Sequence, residues 1–192
     1  MSESFPENSP VVLLIIDMMN DLEFDDGEAM LPGAVEAARS IARLKKEARQ
    51  RQVPVVYVND NFGKWRSNFA QIVEHCLKDD VRGQPLVELL EPDDQDYFVI
   101  KSKHSGFYGT TLEILLRNMG ARHLILTGIT ADICVLFTAQ DAYMRDYDIV
   151  VPQDCVACVE DGTKRFTLQH LERACKAKIV DTDNMTWDFD SE

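Results

Sequence analysis

Basic residues are in short supply: 20 Lys+Arg stand against 33 Asp+Glu across 192 residues, a formal net charge of -13. Such a balance repels phosphate backbones and anionic headgroups, so a nucleic-acid or membrane-surface partner is not expected. The densest basic stretch, Lys45-Lys46 with Arg49 and Arg51, reads as the solvated face of a helix. Paired cysteines are also missing. Five cysteines, at 76, 134, 155, 158 and 175, are odd in number and scattered, unlike the disulfide framework of a small secreted domain, and they point to a reducing compartment. Long apolar runs are absent too. The longest, Val11 to Ile16, falls far short of the roughly 20 residues of a membrane helix. The opening MSESFPENSP has neither the basic nor the apolar region of a signal peptide, so a cytoplasmic location is expected. No internal repeat or low-complexity linker divides the chain, so one domain over 1–192 is expected, with 1–9 and 185–192 as peripheral tails.

What the chain does have is an alternation of short apolar runs with segments of helical period, the pattern of β-α-β units around a parallel sheet. Val11–Ile16, with no polar alternation, predicts a strand buried on both faces. Further strands are predicted at Val53–Val58, Tyr97–Ile100, Leu124–Thr127, Asp148–Val151 and Lys178–Asp181. Helices are predicted at Pro32–Gln50, Asn68–Leu77, Gln84–Leu90, Thr110–Met119, Ala131–Met144 and Glu160–Ala177. The expected architecture is a three-layer α/β/α fold with a doubly wound, six-stranded parallel sheet.

Sites in such sheets form beyond the carboxyl ends of the strands, where strand order reverses. Three side chains stand there. Asp17 directly follows the first strand, Lys101 the third, and Gly128-Ile129-Thr130-Ala131-Asp132-Ile133-Cys134 carries a cysteine from the fourth into the start of a helix. A helix N-terminus and a nearby ammonium both favour a thiolate, which makes Cys134 a candidate nucleophile. A carboxylate within reach can take the thiol proton and return it to a leaving amine. Taken singly, each has a plainer reading: a packed cysteine, a turn-forming aspartate, a solvated lysine.

The segments Asp17-Met18-Met19-Asn20-Asp21, Lys101-Ser102-Lys103-His104-Ser105-Gly106-Phe107, and Gly128 through Cys134-Val135 with Thr138-Ala139-Gln140-Asp141-Ala142 together resemble the isochorismatase-like cysteine hydrolase family. The likeness runs from about Val11 to Ala157. It implies strand order 3-2-1-4-5-6 and a catalytic triad of Asp17, Lys101 and Cys134 that hydrolyses a C–N bond through a thioester. It also implies an oxyanion hole from the backbone N–H groups of Thr130 and Cys134, a cis peptide between Ile129 and Thr130, and a homo-oligomer.

Departures from the family pattern are informative. Thr130-Ala131 reverses the usual order of small and hydroxyl residues, Met19 stands where Gln is common, and His104 where Tyr is common. Nicotinamidases of the family carry a metal on an Asp and histidines after the second strand. Here that stretch is Asn59-Asp60-Asn61-Phe62-Gly63-Lys64-Trp65, with no histidine before His75, so no metal and no cofactor are expected. The lone Cys155-Val156-Ala157-Cys158 is read as packing rather than a metal site. His75, His123 and His170 are read as structural or surface residues. Asn20, Phe24, Trp65, His104 and Phe107 are candidates for the substrate pocket, with packing or turn formation as the competing reading for each. The functional expectation is a cysteine amidohydrolase of a small amide, carbamoyl or ureido compound. The alternatives are an isochorismatase-type vinyl ether hydrolase, which has little need of Cys134, and a non-catalytic binding or scaffold protein.

Overall fold

The structure, a computed structural model, describes residues 8–189. The expectations for 1–7 and 190–192 lie outside the described residues. A parallel sheet forms the middle layer, built from β1 (Val11–Ile16), β2 (Val55–Asp60), β3 (Tyr97–Lys101), β4 (His123–Ile129), β5 (Asp148–Pro152), β6 (Val156–Ala157) and β7 (Lys178–Val180). The order is β3-β2-β1-β4-β5-β7, with β6 pairing β4. Six strands were expected. The seventh is the two-residue β6, which picks up the end of β4 after β5 has ended, so the last strand of the expected order is β7.

Because side chains alternate along a strand, β1 serves two cores. Leu13 and Ile15 point to the side covered by α1 (Gly27–Gln50), α2 (Phe69–Lys78) and α3 (Gln84–Leu89). Val12, Leu14 and Ile16 point to the side covered by α4 (Leu112–Met119), α5 (Leu136–Tyr143) and α6 (Asp161–Cys175). That double burial is the reason for the unbroken apolar run.

α1 begins at Gly27 rather than at Pro32. Its apolar stripe Met30, Ala34, Ala37, Ala38, Ile41, Leu44, Ala48 starts a turn earlier, and burial of Met30 outweighs the single backbone bond that Pro32 cannot donate. β2 extends two residues past Val58, and β4 runs through Gly128, which was expected to be a turn. The predicted helix 131–144 is two pieces, a π-helical turn at Ala131–Val135 and then α5. Residues 185–189, expected to be a peripheral tail, are docked: Met185, Trp187 and Phe189 pack on the α1 side of the core, and Trp187 donates from Nε1 to Glu47 at 3.2 Å. Their alternation of apolar and polar residues gives this acidic segment one face to bury.

Candidate functional site

Four strand ends converge at the carboxyl edge of the sheet, where β1 separates the connection leading to β2 from the one arriving at β4. Register sets their heights: Ile16 is level with Val58 and Gly128, and Asp60 is level with Lys101. Gly128 has φ 114, and a Cβ there would lie 1.9 Å from the Ile16 carbonyl oxygen, so only glycine lets β4 come this close to β1. Asp17 leaves β1 in a left-handed conformation, φ 53, with its N–H still donating to Val58 O at 3.0 Å. A non-glycine residue in that region carries strain, and it is held here by the bonds its carboxylate makes.

Lys101 is 1% exposed, and its Nζ has three neighbours. These are Asp17 Oδ2 at 2.8 Å, Asp60 Oδ2 at 3.2 Å and Cys134 Sγ at 3.5 Å. An ammonium has three N–H donors, so this lysine is fully used. Asp17 Oδ1 accepts from the Asp60 backbone N–H at 2.6 Å, and Asp17 is also hydrogen-bonded to Cys134. Asn59, completely buried, braces the loop after Asp17 by accepting from Met19 N at 3.1 Å and donating to Met19 O at 3.0 Å.

Cys134 is carried by the π-helical turn. The Thr130 carbonyl accepts from Ile133 N and Val135 N, both at 3.2 Å, so the turn is anchored by the residues on either side of the cysteine. Below it, the buried Thr138 hydroxyl donates to Cys134 O at 2.7 Å and accepts from Gly106 N at 3.0 Å. That hydroxyl ties the cysteine turn to the loop that leaves Lys101. The Ile129-Thr130 peptide is cis.

Protonation in the site differs from the expected thiolate. Burial pushes the Cys134 thiol up, and the Asp17 charge pushes it further; the Lys101 ammonium opposes both without prevailing. Burial likewise raises Asp17 above the usual carboxylate range, against the pull of Lys101. For Lys101, burial alone would lower the ammonium, but the charges of Asp17, Cys134 and Asp60 hold it above its ordinary value. The resting site therefore pairs a neutral thiol with a charged ammonium. Cys134 is half-buried while the other four cysteines are buried, so access rather than acidity distinguishes it.

The expected pocket residues separate into groups. Phe107 sits in the core, with its ring 5.9 Å from that of Tyr147 and the Arg145 guanidinium 4.9 Å from its centre, so it packs and does not wall a pocket. Asn20 is buried and accepts from Leu22 N at 2.8 Å, which is the turn-holding alternative. His104 is exposed beside Phe137, at 5.4 Å between rings. Phe24 and Trp65 are exposed on their loops, Trp65 at 78%. Cys155 and Cys158 are buried, and Cys158 Sγ donates to Asp132 Oδ1 at 3.2 Å. Among the described residues no group of His, Cys, Asp and Glu is placed to hold a metal.

Three contributors were not singled out from the sequence: Asp60, Asn59 and Thr138. Asp60 and Asn59 follow the apolar run that ends at Val58, so the pattern of apolar residues alone places them in a loop. A polar pair directly after Val55-Val56-Tyr57-Val58 is the same strand-end signal that singled out Asp17. Thr138 stands in the segment after Cys134 that carries the family resemblance, at a helical spacing of four from the cysteine, but nothing in that pattern assigns its hydroxyl a role.

An acid, an ammonium and an accessible thiol at the switch point of a parallel sheet define the class: an α/β protein with a cysteine-centred polar site. The chain belongs to the isochorismatase-like hydrolase family, and the Isochorismatase domain model matches residues 11–184. It is 43% identical over 168 residues to the uncharacterized isochorismatase family protein YaaI of Bacillus subtilis, covering 88% of this chain and 92% of that one. It is 29% identical over 168 residues to the ureidoacrylate amidohydrolase RutB of Methylorubrum extorquens, covering 74% of this chain and 68% of the relative. Among solved structures, N-carbamoylsarcosine amidase from Thermoplasma acidophilum superposes with a TM-score of 0.71 at 30% identity, over 92% of this chain and 99% of that one. The family thus includes amidohydrolases, which supports hydrolysis of a C–N bond.

Proposed function

We propose that this protein is a cysteine amidohydrolase of a small carbamoyl, ureido or amide compound, with Cys134 as nucleophile, Asp17 as base and acid, and Lys101 as the charge that holds them together. The observation that carries this reading is the single ammonium within reach of both Asp17 and Cys134. Two relatives are named for substrates that contain a ureido or carbamoyl group, which favours that class.

In the proposed reaction the Cys134 proton passes to Asp17 as sulfur attacks the substrate carbonyl, forming the S–C bond and placing the π electrons on oxygen. Sulfur enters as a thiol in hydrogen-bond contact with the base, so the proton moves with the attack. The backbone N–H groups of Thr130 and Cys134 take the developing oxyanion, a donor of this kind being worth about 3–4 kcal/mol in the transition state. Collapse expels the amine with the proton from Asp17 and leaves a thioester. Water then gives its proton to Asp17 and its oxygen to the carbonyl, and the C–S bond breaks as the Cys134 sulfur takes that proton back from Asp17, which releases the acid and restores the thiol. Lys101 stays charged throughout and offsets the negative charge that moves between Asp17, Cys134 and the oxyanion.

The test is ammonia release from a panel of small amides, carbamoyl compounds and ureides. Cys134→Ala should lose about a thousandfold or more in kcat/KM on any compound turned over. Full activity of that variant would sink the covalent mechanism.

A further inference from the structure

Asp60 touches both halves of the proposed machinery. Its backbone N–H donates to Asp17 Oδ1 at 2.6 Å, and its carboxylate Oδ2 takes the Lys101 ammonium at 3.2 Å. Its other oxygen, Oδ1, accepts from Phe62 N at 2.7 Å, which fixes the carboxylate against its own turn. A residue that serves only as a strand end has no need of a carboxylate aimed at a buried lysine. The Asp60 side chain is a quarter exposed, whereas the side chains of Asp17 and Lys101 are 6% and 0% exposed. It is therefore the part of the charge cluster nearest to water.

Counting charges gives the consequence. With Cys134 as a thiol, Asp17 and Asp60 each contribute one negative charge and Lys101 one positive charge, so the cluster carries an excess of one negative charge. β1 presents Asp17, β2 presents Asp60 and β3 presents Lys101. Asp132 on the cysteine turn is engaged by Cys158 at 3.2 Å. Without Asp60 the Lys101 charge would be divided between Asp17 and Cys134 alone.

We propose that Asp60 is a positioning residue of this site: it locks the Asp17–Lys101 pair from both sides, and its carboxylate takes a share of the Lys101 ammonium that Asp17 and Cys134 would otherwise divide between them. This inference rests on the reading of Cys134 as nucleophile and Asp17 as base.

Alkylation of Cys134 by iodoacetamide, followed by mass spectrometry across a pH series on the full chain, tests it without a known substrate. In Asp60→Asn and Asp60→Ser, each of which keeps an oxygen to accept from Phe62 N, the acid limb should move down by about one pH unit, the size expected for removing one nearby charge. Below the midpoint, labelling should then run about tenfold faster than in wild type. Asp60→Glu restores the charge and should restore the wild-type midpoint. An unmoved midpoint in either neutral variant, with thermal unfolding showing it folded, overturns the proposal, as does a downward shift in Asp60→Glu equal to that of the neutral pair. Two other results would overturn the underlying reading instead: no selective labelling of Cys134 in wild type, or an acid limb that survives in Asp17→Asn.

Discussion

The same ionisation at Asp17 works against stability and for chemistry. Burial raises its folded value above that of the unfolded chain, so the stability it contributes is present at low pH and is lost as pH rises from the ordinary carboxylate range through the folded value. Over that window the base becomes available. The acid limb of kcat/KM, or of Cys134 alkylation, should therefore lie above 3.8, the ordinary value for an aspartate; a limb at or below that value would refute the buried base. Asp154 behaves in the opposite way. Burial alone would raise it, but the hydroxyl and amide of Thr182 hold it lower, so its contribution is present above the ordinary aspartate range and is lost as pH falls through its folded value. Thr182→Val should weaken the acid resistance of the fold, read as the pH midpoint of unfolding, and should leave the alkylation profile of Cys134 unchanged.

Among the elements, the connection between β4 and α5 carries the most constraint. Gly128 lets β4 touch β1, the π-helical turn carries Cys134, and Thr138 ties that turn to the loop after Lys101. Gly128→Ala combines an unfavourable φ with a backbone collision, and it should cost about 3 kcal/mol or more, read by chemical denaturation. Thr138→Val removes a donor and an acceptor at a fully buried position while keeping the shape. It should cost about 1–3 kcal/mol, and because the cysteine turn and the Lys101 loop are no longer tied, kcat should fall more than KM rises.

For the molecule as a whole, the acidic surplus is partly used as structure. Asp96, 2% exposed at its side chain, receives Lys45 at 2.7 Å and Arg49 at 2.6 Å, and Lys45 also donates to the Tyr57 hydroxyl at 2.9 Å. This cluster fastens α1 to the segment that leads into β3, the edge strand that delivers Lys101. Asp96→Ala would leave Lys45 without its carboxylate while Arg49 keeps Asp93 at 2.8 Å, and should destabilise the fold by about 1–3 kcal/mol, seen as a lower midpoint in urea. At the other end of the chain, Trp187 lies against α1, with the Arg51 guanidinium 5.4 Å from its ring centre. A chain ended at Asn184 should unfold at lower temperature than the full chain, since Trp187 and Phe189 then leave their side of the core uncovered. The basic stretch read as a solvated face thus has tertiary partners: Lys45 and Arg49 hold Asp96, and Arg51 covers Trp187.

Most of the layered fold was legible in the residues, because burial on both faces leaves an unbroken apolar run such as Val11–Ile16, and a helix lying on a sheet leaves a stripe such as that of α1. The positions of Asp17, Lys101 and Cys134 at strand ends were legible for the same reason, since each is a polar break directly after or near an apolar run. Tertiary structure alone decided what one dimension does not record. The register of β2 against β3 brings Asp60 level with Lys101. Phe107 is turned into the core by its packing partners, and residues 185–189 find a face to cover. The protonation state of Cys134 was decided there too: a helix start and a lysine are visible in sequence, but the burial and the neighbouring carboxylate that outweigh them depend on distances between residues more than a hundred positions apart.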